Sequence, residues 1–225
     1  MATVRKNVLG DLRGKIGNMS ARQYKGKSIF ASLPSSYKAP MDAQSILRRT
    51  KFSSAVKMTK EILSKPLAKQ VWVANNNSQM NTYNYLMKTN YRYLNGYEVT
   101  QLNQITPITG FSFNYSNLLL NENSLSLDVD PINIELKGDI NIYLLVLFQF
   151  LEPVTELDSP FDYSMITSEA KPFVLGESIS FTVQYSDYLV GSNNLYTNKK
   201  LLLSLITEDS EGNFSNFSST KLHTL

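Results

Sequence analysis

The stretch INIYLLVLFQFL at residues 140–151 decides the class of fold. It is far short of the roughly 20 apolar residues that a membrane-spanning helix requires, and Asn141 and Gln149 interrupt it. It reads as a buried strand. On either side, residues 110–115, 124–129, 132–136, 178–185 and 201–207 alternate or run apolar with strand-type side chains. Turn signals separate them: Asp130-Pro131, Lys137-Gly138-Asp139, Ser159-Pro160, Gly191-Ser192-Asn193-Asn194 and Ser210-Glu211-Gly212-Asn213. Six or seven such strands over residues 98–225 predict an antiparallel β-sandwich of immunoglobulin-like size. The segment lacks the cysteine pair and core tryptophan of a true immunoglobulin domain, since Trp72 precedes it.

Upstream the period changes. From Phe52 the apolar positions Ala55, Val56, Thr59, Ile62 and Leu63 follow one helical face. A helix is expected to start near Met41 or Asp42, with Pro66 ending it or opening the next over residues 67–74. A third is expected from Ser78 as N-cap, with Met80, Tyr83, Met87, Tyr91 and Leu94 on a common packing stripe. Before these, residues 1–33 carry Gly10, Gly14, Gly17 and Gly26 among basic and apolar residues, which suits an arm or hairpin turning at Tyr24-Lys25-Gly26-Lys27. The fold class is therefore α+β and mainly β: a glycine-rich arm or hairpin over residues 1–33, a helical segment over residues 40–95, and the immunoglobulin-like sandwich over residues 98–225.

Charge is divided the same way. Up to Trp72 there are 15 Lys/Arg against 3 Asp/Glu, and beyond it 7 against 16, so a net +12 faces a net −9. That asymmetry fits a polyanionic partner, head-to-tail contact between neighbouring subunits, or a basic segment lying on its own acidic domain.

The composition excludes much chemistry. With Cys 0 there is no thiolate nucleophile, disulfide or cysteine-based metal site. His223 is the sole imidazole, three residues from the end, where a solvated tail residue is expected in place of a triad member. The opening residues 1–23 carry charge with no signal-length apolar run behind them, so synthesis in the cytoplasm without a Sec signal is expected. The sequons at Asn18, Asn76, Asn114, Asn213 and Asn216 carry no weight without a secretory route.

Ala21-Arg22-Gln23-Tyr24-Lys25-Gly26-Lys27-Ser28 satisfies a loose phosphate-binding loop, yet no apolar strand precedes it and Pro34 stops any helix after it. A hairpin turn is expected instead. Asp128-Val129-Asp130 begins like a calcium loop, but Pro131 follows and no glycine stands at the sixth position. Glu208, Asp209 and Glu211 flank a glycine turn, and Glu152, Glu156, Asp158 and Asp162 lie along a polar connection. No catalytic residue, cofactor site or metal site is expected, and no small-molecule substrate.

The run Leu9-Gly10, Gly14-Lys15-Ile16-Gly17-Asn18, then Tyr24-Lys25-Gly26-Lys27, Ser32-Leu33-Pro34, Gln44 and Arg49-Thr50-Lys51-Phe52, resembles a family of Bacteroidetes and phage-associated proteins known only as a domain of unknown function. The likeness covers Leu9 to about Leu94. This chain departs from the pattern with Gln23-Tyr24 where a tryptophan is usual, and with Phe30-Ala31 where an arginine precedes Ser-Leu-Pro. The resemblance implies an architecture and an origin in mobile elements, and carries over no activity. Similar openings in virion and tail proteins imply an assembly role and association with a virion.

These readings converge on a non-enzymatic structural or assembly protein, a self-associating virion or filament subunit whose basic arm engages a neighbour or another structural subunit. The alternative is sequence-independent nucleic-acid binding through the first third. Both use the same residues: Arg13, Lys15, Arg22, Tyr24, Lys25, Lys27, Arg48, Arg49 and Lys51. A third reading gives the sandwich a carbohydrate or cell-surface ligand, held by Tyr185, Tyr188 and Tyr196 as exposed tyrosines.

Overall fold

The computed structural model describes residues 2–4, 13–24, 26–32, 39–107, 110–134, 136, 138–156 and 159–225. The chain divides into two compact units, Met1–Asp42 and Ala43–Leu225.

The first unit is an antiparallel sheet of β1 (Ala2–Val4), β2 (Gly14–Ile16), β3 (Met19–Tyr24) and β4 (Lys27–Ser32), in the order β1-β4-β3-β2. Ile16 pairs with Met19 and Tyr24 with Lys27, so two tight loops close the hairpins. Gly17 at φ +59 and Gly26 at φ +71 supply the left-handed backbone that such loops demand and that a side chain disfavours. The segment resembling a phosphate-binding loop is thus a hairpin, and Lys27 opens a strand where that loop would need a helix.

The second unit begins with α1 (Ala43–Ser64), α2 (Pro66–Ala74) and α3 (Thr82–Tyr91). Its strands are β5 (Gly110–Phe111), β6 (Tyr115–Leu120), β7 (Ser124–Val129), β8 (Asp139–Pro153), β9 (Phe161–Thr167), β10 (Lys171–Pro172) and β11 (Ile179–Gln184). After α4 (Asp187–Leu195) come β12 (Tyr196–Asp209), β13 (Phe214–Ser218) and β14 (Lys221–Thr224). The long strands β8 and β12 pair antiparallel from Leu151 opposite Asn198 to Asn141 opposite Glu208. They are the axis of a seven-stranded sheet. On β8's outer edge lie β9 and β10; on β12's lie β13 and β14, and β5 joins β13 in parallel. A separate antiparallel sheet runs β11-β7-β6.

Side-chain parity explains why the deciding stretch is apolar without alternation. Leu144, Val146, Phe148 and Phe150 of β8, with Leu201, Leu203 and Leu205 of β12, pack with Leu125, Leu127, Phe181 and Val183 of the small sheet. Leu145, Leu147, Leu151, Leu202 and Ile206 point the other way, into a second core with Met58, Ile62, Trp72 and Leu86 of the helices. A strand covered on both faces needs apolar residues at every position. The helices and strands therefore share one unit. Among the described residues no helix is long and apolar enough to cross a membrane.

Several local expectations shift. Residues 132–134 and 136 form no strand, although Ile132 and Leu136 are buried; Pro131 removes a backbone donor just ahead of them. Asn81, not Ser78, caps α3, its side chain accepting from Asn84 N at 2.8 Å, while Ser78 is held in a turn by Asn76. The buried stripe of α1 is Ser54, Ala55, Met58, Thr59 and Ile62, and Phe52 stands 51% exposed on its flank. Gly191-Ser192-Asn193-Asn194 lies inside α4, because Ser186 caps that helix and Leu189 and Ser192 are buried beneath it. His223 is no frayed tail residue: β14 sets it opposite Leu201, with Nδ1 3.1 Å from the Tyr115 hydroxyl.

Candidate partner-binding surface

The strand registers decide which basic residues of the first unit share a face. Directly opposed residues of an antiparallel pair project to the same side, and residues two apart on a strand do likewise. Lys15 opposes Ser20, Arg22 opposes Ile29 and Tyr24 opposes Lys27, while Ser20, Arg22 and Tyr24 alternate along β3. Lys15, Arg22, Tyr24 and Lys27 therefore stand on one face, all exposed, with Tyr24 at 62%. Ala21, Gln23, Ser28 and Phe30 take the opposite face, where Ala21 and Ser28 are buried and Gln23 donates to the Ser28 hydroxyl. Three cations and an aromatic ring on one strand surface can meet phosphates, carboxylates or an acidic protein face. Arg13 is exposed just before β2. Lys25 lies outside the described residues.

Arg48, Arg49 and Lys51 belong to the second unit, on α1, and split by environment. Arg48 and Arg49 are exposed, and Arg48 donates to Gln44 O and Ser45 Oγ, both at 3.3 Å, within its own helix. Lys51 is half-buried, its ammonium 5.2 Å from the Tyr91 ring centroid. That position commits Lys51 to a cation–π contact inside the unit. Lys57 is likewise turned inward, 3.6 Å from the Asp162 carboxylate and 5.0 Å from the Phe161 centroid.

The acidic clusters are held by neighbouring donors, across strands or within a turn. Asp128 accepts from Asn117 Nδ2 at 2.9 Å and Asp130 from Ser116 Oγ at 3.3 Å. Asp209 accepts from Glu211 N and Asn213 N at 2.8 and 2.9 Å, and these donors, the Asn213 amide foremost, hold its carboxyl below the usual carboxylate range. Among the described residues no cluster of three or more His, Asp or Glu is placed to hold a metal ion.

The three tyrosines are not equivalent. Tyr196 is buried and donates to Ser159 O at 2.9 Å, so it is not an exposed ligand contact, and Tyr188 donates to the Asp162 carboxylate. Tyr185 lines a cleft, together with residues of α4, of β12 and of the loop before β7. The sequence reading missed that gathering, because three segments remote along the chain supply it.

No protein-family model matches the chain, and no curated protein matches it. Among solved structures it is similar to a β-glucosidase from Kluyveromyces marxianus. The selenomethionine-labelled form matches at 14% identity and TM-score 0.22, over 52% of this chain and 14% of the other. The form in complex with glucose matches at 13% identity and TM-score 0.26, over 63% and 16%. The chain thus spans less than a fifth of the length of these neighbours, and likeness at such scores carries no argument about fold or activity.

Proposed function

We propose that the protein is a non-enzymatic structural or assembly subunit that self-associates through its first unit, in a virion or filament. The β-rich body, read as an immunoglobulin-like sandwich, would carry that contact surface. The observation that supports this is the first unit's make-up. It is a four-stranded sheet in which, among the described residues, the edge strands β1 and β2 are each paired on one side alone. Of its side chains whose burial is described, Ala21 and Ser28 are the buried ones. Open edges of that kind accept a neighbour's strand, with backbone hydrogen bonds giving affinity. The net charges of the two units, +6 over residues 1–42 and −3 over residues 43–225, favour head-to-tail contact. Removing residues 1–33 and measuring mass by light scattering tests the reading: a folded monomer is expected, and assembly that persists without them refutes it.

Sequence-independent nucleic-acid binding is the second reading, favoured by the shared face of Lys15, Arg22, Tyr24 and Lys27. Cations that track a phosphate backbone around an aromatic that stacks a base are the elements of such a surface. Retention of single-stranded DNA at low salt, lost as salt rises, would transfer the assignment to this reading.

A further inference from the structure

At one end of the small sheet, a cleft of about 450 Å³ opens between the β6–β7 turn, the residue after β11, helix α4 and β12. Its walls set amides and a phenol, from Asn123, Tyr185, Asn193 and Asn194, beside apolar Leu120 and Val190, with Lys199 and Glu122 among them. Two of these polar atoms have no hydrogen-bond partner among the described residues. Asn193 Oδ1 is buried and accepts no hydrogen bond, which a protein interior rarely tolerates. The Tyr185 ring packs against Phe148 with centroids 5.8 Å apart, while its hydroxyl has no side-chain partner among the described residues. Burial pushes that hydroxyl up to about 12 and pulls the Lys199 ammonium below its usual value, so both groups are partly withdrawn from water.

We infer that this cleft binds a neutral sugar of one or two pyranose rings. The volume falls in the range of small-ligand sites. A primary amide offers a donor and an acceptor side by side, the pattern that adjacent hydroxyls of a sugar match, and the amides of Asn121, Asn123, Asn193 and Asn194 belong to residues that line the cleft. Tyr185 adds a ring edge and a hydroxyl. One cation and one anion line the cleft, Lys199 and Glu122, so the lining has no net charge and favours a neutral ligand over a phosphate or carboxylate. This inference is independent of the assembly reading.

The test is a titration of the isotope-labelled full chain with glucose, galactose, mannose and N-acetylglucosamine, followed by amide chemical shifts, with glucuronate and inorganic phosphate as charged probes. Saturable shifts at Tyr185, Asn193 and Lys199 are expected with at least one neutral sugar. Asn193→Ala and Tyr185→Phe should each weaken that binding roughly three- to tenfold, as loss of one neutral hydrogen bond does. Neither should lower Tm, because the deleted groups hold nothing in the fold. Three results would each overturn the inference: no saturable shift there with any of the four sugars, shifts that both substitutions leave unchanged, or tighter binding of a charged probe than of every sugar.

Discussion

Gln149 is polar in the middle of the most apolar strand of the chain, and its surroundings explain why. Its Oε1 accepts from Val99 N at 2.9 Å, and its Nε2 donates to Tyr97 O and to the Tyr163 hydroxyl, both at 2.7 Å. The Tyr163 hydroxyl also lies 2.7 Å from Ser54 Oγ, so one network ties β8, β9, α1 and the chain after α3. Gln149→Leu would leave the Val99 amide buried without its partner, while the Tyr97 carbonyl keeps the Ser54 hydroxyl at 2.6 Å, a loss of about 1–3 kcal/mol that chemical denaturation would measure. Burial raises the Tyr163 hydroxyl well above the usual phenol value of 10.0, while the bonds with Ser54 and Gln149 pull against that rise. The neutral phenol is then the form the folded state favours. Its stabilisation is fully present below pH 10.0 and is lost as pH rises above it. Stability should fall above that pH, with Tyr163 contributing about 1.4 kcal/mol per pH unit. Tyr163→Phe, at a cost of about 1–2 kcal/mol near neutrality, should show a shallower alkaline decline. A decline as steep as the parent's would mean that other groups govern it.

Elements were legible in the sequence where one force dominated. The strands β7, β8, β11 and β12 were readable because apolar side chains fill one face or both, and α1 and α2 because Pro66 separates them. β13 was hidden because its polar residues serve tertiary hydrogen bonds: Ser218 Oγ accepts from Leu205 N at 2.7 Å and lies 3.1 Å from Ser204 Oγ. α4 was hidden because Gly191-Ser192-Asn193-Asn194 has turn composition, and only the cap at Ser186 and the burial of Leu189 make it helical. The basic face of the first unit was half legible: Arg22 and Tyr24 sit two apart on a strand, but Lys15 joins them only through the β2–β3 register. Two predictions belong at this scale. Asn81→Ala removes the α3 cap and should cost about 1 kcal/mol. Leu203→Ala, at the centre of β12 and fully buried, should cost about 2–5 kcal/mol. Both are read as shifts in the midpoint of urea unfolding at constant slope.

For the molecule as a whole, the two units divide the charge. Residues 1–42 carry 8 Lys/Arg against 2 Asp/Glu, and residues 43–225 carry 14 against 17. Separating them turns a chain of net +3 into a second unit of net −3. Both hydrophobic cores lie within the second unit, so residues 43–225 alone should fold, with the buried emission of Trp72 preserved. Loss of that emission would show that the first unit is needed for folding. If the first unit mediates association, light scattering after size exclusion reads its loss. The full chain and a Lys15→Glu, Arg22→Glu, Lys27→Glu variant would be run at low and high salt, with absorbance at 260 and 280 nm recorded. Oligomers of the full chain free of nucleic acid, weakened by salt and lost in the variant, are expected. A full chain that is monomeric at both salts, or a variant that assembles as the parent does, would contradict the assembly reading.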